Sequence, residues 1–383
     1  MRSKNFDYAI VGAGIHGLCV ARALRRRGVS RIVVLDRFPA GHARGSSHGS
    51  SRITRSSYHD PLYVRLAARA RREDWPGLAR DLERPLIEDA PGLFFGPDSP
   101  RLRAFVRATL DASPEVEAIQ VDDARRRFPQ FTLTDAEHVL LDHSAGVILA
   151  DVAMEGLRRW LGAAGVVVRH GVRAQTWRPV GERLEVVTDA GVLRVGGIVL
   201  AAGAWVGEFA PALRSRLTVI RQHVVYLRLG PAAAMRAPAF PVWAWIGAAA
   251  DDFFYGLPDA GEGGVKLGRH LVTGPTDDPD VAATVSEQAL AEVEAFARRA
   301  FTAQGIARVH ADTCLYTATA DEHFVLDSVP GEPRVVVVSA CSGHGFKFGP
   351  TVGELAASLL LDGVRPAAEF ALAAQPGSDQ ART

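Results

Sequence analysis

Tyr8-Ala9-Ile10-Val11-Gly12-Ala13-Gly14-Ile15-His16-Gly17 is the stretch on which the reading of this chain turns. A short apolar run ends in Gly12-x-Gly14-x-x-Gly17. Leu18 to Arg27 then carries small and apolar residues toward one face and closes on Arg25, Arg26 and Arg27. Gly28 suits a helix stop, and basic residues in the last turn complement the helix dipole. Ile32-Val33-Val34-Leu35 reads as a second buried strand ending at Asp36, which completes a strand–helix–strand opening. The spacing has a physical reason. Gly12 permits a tight turn, Gly14 lets the backbone approach a pyrophosphate, and Gly17 allows the helix to pack closely on the strand. The diphosphate would rest on the helix N-terminus while Asp36 accepts hydrogen bonds from a ribose diol. The opening therefore predicts a bound dinucleotide, and an acid at position 36 disfavours the 2′-phosphate of NADP.

Working outward, 383 residues exceed the usual single-domain size, so two intertwined domains are expected. A hydrophobic share of 48% with 23% charged residues excludes wholesale disorder. Lys+Arg 44 against Asp+Glu 43 leaves a net charge of +1, which gives no general attraction for nucleic acid or an anionic membrane. The cysteines are Cys19, Cys314 and Cys341, an odd and sparse set that excludes a disulfide scaffold and favours a reducing compartment. The start runs into a strand without a signal-peptide core. Neither Val195–Gly207 nor Val335–Phe346 approaches the ~20 apolar residues that span a bilayer. The His, Asp and Glu groups show no metal spacing, and no Ser-His-Asp set is readable. These features predict a cytoplasmic enzyme, monomeric or weakly homo-oligomeric, acting on a small molecule without a nucleic-acid or membrane partner.

Further along, Gly41–Ser57 reads as a polar loop and Leu62–Leu82 as helical. From 86 to 144, short strands such as Leu93-Phe94-Phe95 mix with a helix near Val116–Phe128. Val147-Ile148-Leu149 and Val166-Val167-Val168 read as strands flanking a helix Asp151–Leu161 with Asp151 as N-cap. Leu184–Val187 and Val192–Val195 form a hairpin turning at Asp189-Ala190-Gly191. Ile198-Val199-Leu200-Ala201 is an apolar strand ending in Ala202-Gly203-Ala204-Trp205. Strands then dominate (Val224–Leu229, Phe253–Tyr255, Val265–Leu267), followed by a helix at Ser286–Phe301. Val335–Val338, the turn Ser342-Gly343-His344-Gly345 and a helix Thr351–Leu361 return to α/β character, and the tail from about Ala374 reads as frayed. The expected fold is α/β plus β. It joins a Rossmann-like dinucleotide domain (1–85, 145–215 and 310–383) to a strand-rich substrate domain (86–144 and 216–309), discontinuous in sequence. The late returns suit an extended FAD better than NAD, whose dehydrogenases usually complete the nucleotide domain in one block. Pattern alone leaves both open.

Three further stretches narrow the choice. Cys314-Leu315-Tyr316-Thr317-Ala318-Thr319-Ala320-Asp321-Glu322-His323-Phe324, Ser342-Gly343-His344-Gly345-Phe346-Lys347-Phe348 and Gly45-Ser46-Ser47-His48-Gly49-Ser50-Ser51-Arg52-Ile53-Thr54-Arg55 resemble signatures of the monomeric sarcosine oxidase and N-methyltryptophan oxidase family. Lys266-Leu267-Gly268-Arg269-His270 resembles a further active-site strand. Its members are FAD-dependent amine oxidases of the D-amino-acid-oxidase-like fold group. The matching motifs run from residue 8 to about 362 in the family's order.

The resemblance implies roles. FAD would be held by Gly12, Gly14, Ile15, His16, Gly17 and Asp36, with Arg37, Val172, Ala202, Gly203 and Trp205 nearby. Ile15 and His16 depart from the small residues expected in such a loop. Cys314 matches the cysteine that forms a thioether to the flavin 8α carbon. His48, Arg52, Gly343, Gly345 and Phe346 match residues around the isoalloxazine ring. Arg55 and Lys347 match a clamp on the substrate carboxylate, where a planar guanidinium and a point charge act together. Lys266 matches a lysine that promotes reaction with O₂, His270 an active-site histidine, and Tyr255 and Tyr316 the aromatic lining of the substrate cavity. The implied reaction oxidises the secondary amine of sarcosine or another N-methyl amino acid to an imine, giving amino acid, formaldehyde and H₂O₂. A cyclic substrate of the pipecolate or piperideine-carboxylate type is the alternative, with Trp243, Trp245 and Ile246 expected to shape the pocket. Readings from other classes are an NAD-dependent dehydrogenase and a catalytically silent flavin-binding protein.

Overall fold

The computed structural model describes residues 5–249, 251–271, 276–282 and 284–372. The tail from about Ala374 lies outside the described residues. Tyr8–Val11 sits inside a six-stranded sheet, flanked in parallel by Gly197–Leu200 and Ile32–Asp36. Glu332–Ser339 extends the sheet on one side and Val167–His170 on the other, both parallel, while Val325–Val329 adds an antiparallel edge. These central strands are apolar throughout because both faces are covered. The opening helix Ile15–Arg26 and the last long helix Gly349–Asp362 lie against one face. They touch closely, since a Cβ on Gly353 would lie 2.6 Å from the Cys19 carbonyl oxygen. A hairpin sheet (Ala174–Val180, Arg183–Thr188, Gly191–Val195) helps to cover the other face.

A second, eight-stranded sheet runs Ala307–Ala318, Thr218–Arg228, Val265–Arg269, Phe253–Leu257, Val242–Ile246, Gly92–Gly96, His138–Asp142, Val116–Ala118. Its pairs are antiparallel except that Val242–Ile246 runs parallel to Gly92–Gly96. The helix Glu287–Ala300, capped by the Ser286 hydroxyl on Ala289 N, covers one face of this sheet. The boundary expected at residue 310 falls inside Ala307–Ala318. That strand pairs with Thr218–Arg228 along its length, so Cys314 and Tyr316 stand on the eight-stranded sheet.

Several local expectations differ from the structure. The polar loop Gly41–Ser57 contains a strand, Ser51–Thr54, because Gly146–Leu149 offers it a partner edge. Asp151 is not the N-cap. The helix starts at Ala150, whose N–H donates to Ser50 O, and Asp151 sits in the first turn bonded to Val152 N. The region Val116–Phe128 divides into a strand, Val116–Ala118, and a helix, Val121–Arg127. A helix the pattern did not suggest, Pro100–Ala112, is started by proline at its first position and by Ser99 capping Leu102 N. No helix among the described residues is long and apolar enough to cross a membrane.

Candidate active site

A cavity of about 850 Å³ runs from the opening glycine turn of the six-stranded sheet to the face of the eight-stranded one. Every residue expected to hold the cofactor or the substrate carboxylate and amine lines it except Gly17. Gly17 serves packing instead, because a Cβ there would lie 1.9 Å from the Gly12 carbonyl oxygen.

At the glycine-turn end, Gly12 adopts φ 109°, and a Cβ on it would sit 2.2 Å from the Ala201 carbonyl oxygen. The N-cap of the opening helix, Gly14, brings no side-chain hydrogen bond, and the helix start at Gly14, Ile15 and His16 lines the cavity. Ile15 N donates to Ser47 Oγ at 3.1 Å, while the Ile15 side chain turns into the core. His16 reaches across to the carbonyl of Gly345 (3.2 Å), and burial pushes its pKa down to about 4, so it pins two glycine turns together as a neutral ring. Asp36 is 8% exposed and accepts from Ala13 N and Phe38 N at 2.9 Å, with His42 at 3.5 Å. Burial raises its pKa, but the His42, Phe38 and Ala13 contacts outweigh that and hold the carboxylate below its ordinary range. Arg37 stacks over Phe38 and Trp205, at 5.0 and 5.2 Å. Val172, Ala202 and Gly203 complete this wall.

In the middle, Arg52 donates to the carbonyls of Ser51 (2.7 Å), Ser46 (2.9 Å) and His48 (2.6 Å), and lies 5.2 Å from the Phe346 ring. Its charge is fixed in place with no carboxylate beside it among the described residues. His48 Nε2 donates to Thr313 O at 2.9 Å, next to Cys314. Burial pushes the Cys314 thiol up, and Arg52 and Lys266 pull against that. Gly343 has to be small, since a Cβ would lie 2.4 Å from Tyr316 and 2.6 Å from His270.

At the far end stand the buried cations. Lys266 is 8% exposed, and burial with Arg52 nearby pushes its pKa down to about 8. Lys347 donates to His344 O at 3.0 Å, and its pKa is held well below normal by burial, then by Arg55 and Arg52. Arg55 lies 4.1 Å over the Tyr58 ring, and its Nη1 is buried without a hydrogen-bond partner. Neither Arg55 nor Lys347 makes an ion pair among the described residues. Such buried, unmatched donors are costly unless an anion is to arrive. Tyr255 and Tyr316 hydrogen-bond to each other. His270 N donates to Phe253 O (2.8 Å), and its Nε2 lies 3.7 Å from Glu322.

Two tryptophans expected in the pocket are elsewhere. Trp243 packs among Phe131, Phe296 and Phe301, and Trp245 against Phe254 and Phe296, on the opposite face of their strand. The alternation of the strand puts Ala244 on the cavity in their place, beside Ile246, which was expected there. Glu322 went unnoticed although it lies within the resembling 314–324 stretch. Burial raises its pKa, but His270 and then His344 and His59 bring it down to about 2. Arg101 also lines the cavity and had no signal, because its helix was not anticipated.

The residues present fit an FAD. An uncapped helix start and a satisfied acid occupy one end, buried cations the other, and one continuous cavity joins them.

A family model described as FAD dependent oxidoreductase (DAO) matches residues 7–359. The monomeric sarcosine oxidase of Bacillus sp. (strain B-0618) is 28% identical over 371 residues, covering 94% of this chain and 93% of the relative. The N-methyl-L-tryptophan oxidase of Yersinia pestis (strain Pestoides F) is 27% identical, covering 94% and 96%. Among solved structures, NikD, an unusual amino acid oxidase essential for nikkomycin biosynthesis, superposes with a TM-score of 0.82 at 23% identity, covering 96% of this chain and 98% of that one. With the family model matching residues 7–359, the chain belongs to the DAO family of FAD-dependent oxidoreductases.

Proposed function

We propose that the protein oxidises the secondary amine of an amino acid, with O₂ as the acceptor. The observation that carries this reading is the pair Arg55 and Lys347, buried cations without an anionic partner, facing the same cavity as Lys266 and Cys314. Arg55 and Lys347 bind the substrate carboxylate, which orients the carbon next to the amine nitrogen. A bound FAD would supply two-electron chemistry: a hydride equivalent leaves that carbon and a proton leaves the nitrogen to give an imine, and the two electrons and two protons would reach O₂ as H₂O₂. Tyr255 and Tyr316 wall the reacting end, and His270, held beside Glu322, positions the amine. Lys266 offers a fixed positive charge to the negative charge that develops on O₂. Water converts an N-methyl imine to formaldehyde and the free amino acid. Cys314 would hold the cofactor as a thioether; burial raises its thiol pKa, and Arg52 and Lys266 offset part of that toward the thiolate such a bond needs.

The test is anaerobic mixing of the purified yellow protein with N-methyl and cyclic amino acids, pipecolate included. At least one should bleach the visible flavin absorbance, and admitting air should restore the colour with formation of peroxide. Bleaching by none would falsify the reaction class. Acid precipitation tests the tether separately: colour should stay in the pellet.

A further inference from the structure

A fourth cation faces the reacting end, and the chemistry above has no use for it. Arg101, Ala104 and Phe105 occupy positions i, i+3 and i+4 of the helix Pro100–Ala112, and all three line the cavity, so one face of that helix forms a wall. Across from it stand Ala244, Ile246 and Phe253. The Arg101 guanidinium lies 5.7 Å from the Phe253 ring, which is itself 5.2 Å from the His270 ring.

Arg101 has no matched anion. Its Nη1 donates to Ala249 O at 2.6 Å, and it makes no ion pair among the described residues. Burial lowers its pKa, and Glu322, Asp252 and Asp251 only partly offset this. Asp252, the one of these acids with no ion pair of its own among the described residues, makes none with Arg101 either, and the other acids are engaged elsewhere. Glu322 faces His270 at 3.7 Å, and Asp251 pairs with Arg269 at 3.0 Å. Asp60 caps Leu62 N at 2.8 Å, and Asp321 accepts from His323 N at 3.0 Å. Arg55 lies 5.4 Å from the Phe94 ring and 5.9 Å from Phe105, and Phe105 is one helical turn from Arg101. Two guanidinium groups thus bracket an aromatic wall.

We propose that the substrate carries a second carboxylate at the end of its side chain and that Arg101 receives it. Arg55 and Lys347 take the α-carboxylate, the side-chain methylenes lie along Phe105 and Phe253, and Arg101 pairs with the distal acid as a specificity-determining residue. The substrate class is an acidic secondary-amine amino acid, of the N-alkyl glutamate kind. This inference rests on the amine-oxidase reading above.

The holoenzyme should be assayed with N-methyl-L-glutamate and with N-methyl-L-glutamine, which has nearly the same shape and no charge. The acid should be favoured in kcat/KM by roughly ten- to a hundred-fold, the range of a charge-assisted hydrogen bond. Arg101→Met should collapse that ratio, through KM rather than the limiting rate of flavin bleaching, with the flavin spectrum kept as the check on folding. Arg101→Lys should recover part of it. A wild-type ratio near one, or a ratio that Arg101→Met leaves unchanged, overturns this assignment alone. Bleaching by no N-methyl or cyclic amino acid takes down both the assignment and the reaction class.

Discussion

At the glycine-turn end of the cavity, Asp36 receives Ala13 N and Phe38 N, His16 is tied to Gly345, and the glycine turn fits against Ala201 with no room to spare. At the opposite end, Arg55 Nη1 is buried without a partner, and burial lowers the pKa of Lys266 and Lys347, which have no carboxylate in ion-pair contact among the described residues. At the first end the acid and the glycine turn are satisfied within the chain, with Arg37 Nη1 and Arg158 Nε buried without a hydrogen-bond partner, whereas the second is left electrostatically incomplete. The difference teaches where binding free energy is held in reserve. A satisfied end can be shaped before any ligand arrives. An end with unmatched buried charge gains from an anion what it lost on folding.

Three measurements can break or sharpen this contrast, the largest effect first. Gly12→Ala strikes the satisfied end, where φ is 109° and the new Cβ would meet backbone 2.2 Å away. It should cost about 2–4 kcal/mol in denaturant unfolding and abolish flavin retention. Gly28 also has a positive φ, 89°, but open space around it, so Gly28→Ala should keep flavin. Equal behaviour of the two variants would remove the claim that close packing shapes this end.

Lys266→Met probes the incomplete end. Reaction of the reduced holoenzyme with O₂ should slow roughly 10²–10³-fold while anaerobic reduction is spared, the size expected for removing one preorganised charge. In the wild type the O₂ reaction should weaken as pH rises through about 8, where Lys266 loses its proton, and the variant should lack that step. The stability sign is opposite. The folded pKa lies below the ordinary 10.5, so the unfolded chain binds more protons between these values. The burial penalty is therefore present below pH 8 and relieved as pH climbs toward 10.5. Equal loss in both half-reactions would contradict the role.

The smallest effect is expected at Arg55. Arg55→Met should raise KM by roughly ten- to a hundred-fold through loss of charge-assisted contacts. An unchanged KM would mean that this cation is not waiting for a carboxylate.

The glycine-turn end was legible in the sequence because its constraints are local. The turn, the helix and the acid at position 36 follow one another along the chain, and each has a steric or hydrogen-bonding reason visible in its residue type. The reacting end was legible only as separated stretches that resemble a family. Nothing local in Pro100–Ala112 announces that Arg101 faces a cavity, and a tryptophan-rich strand suggested a pocket wall. Strand alternation sent Trp243 and Trp245 to the far face and left Ala244 and Ile246 lining the site.

By itself, the sequence determined that a glycine-rich strand–helix turn opens the chain and that later segments return to complete its sheet. Backbone conformation and helix polarity depend on neighbours a few residues apart, so they can be read in order. Which cations meet was decided only by the tertiary structure. Arg55, Arg101, Lys266 and Lys347 come from four separate segments, and the unmatched charge they share exists only after two sheets have closed one cavity between them.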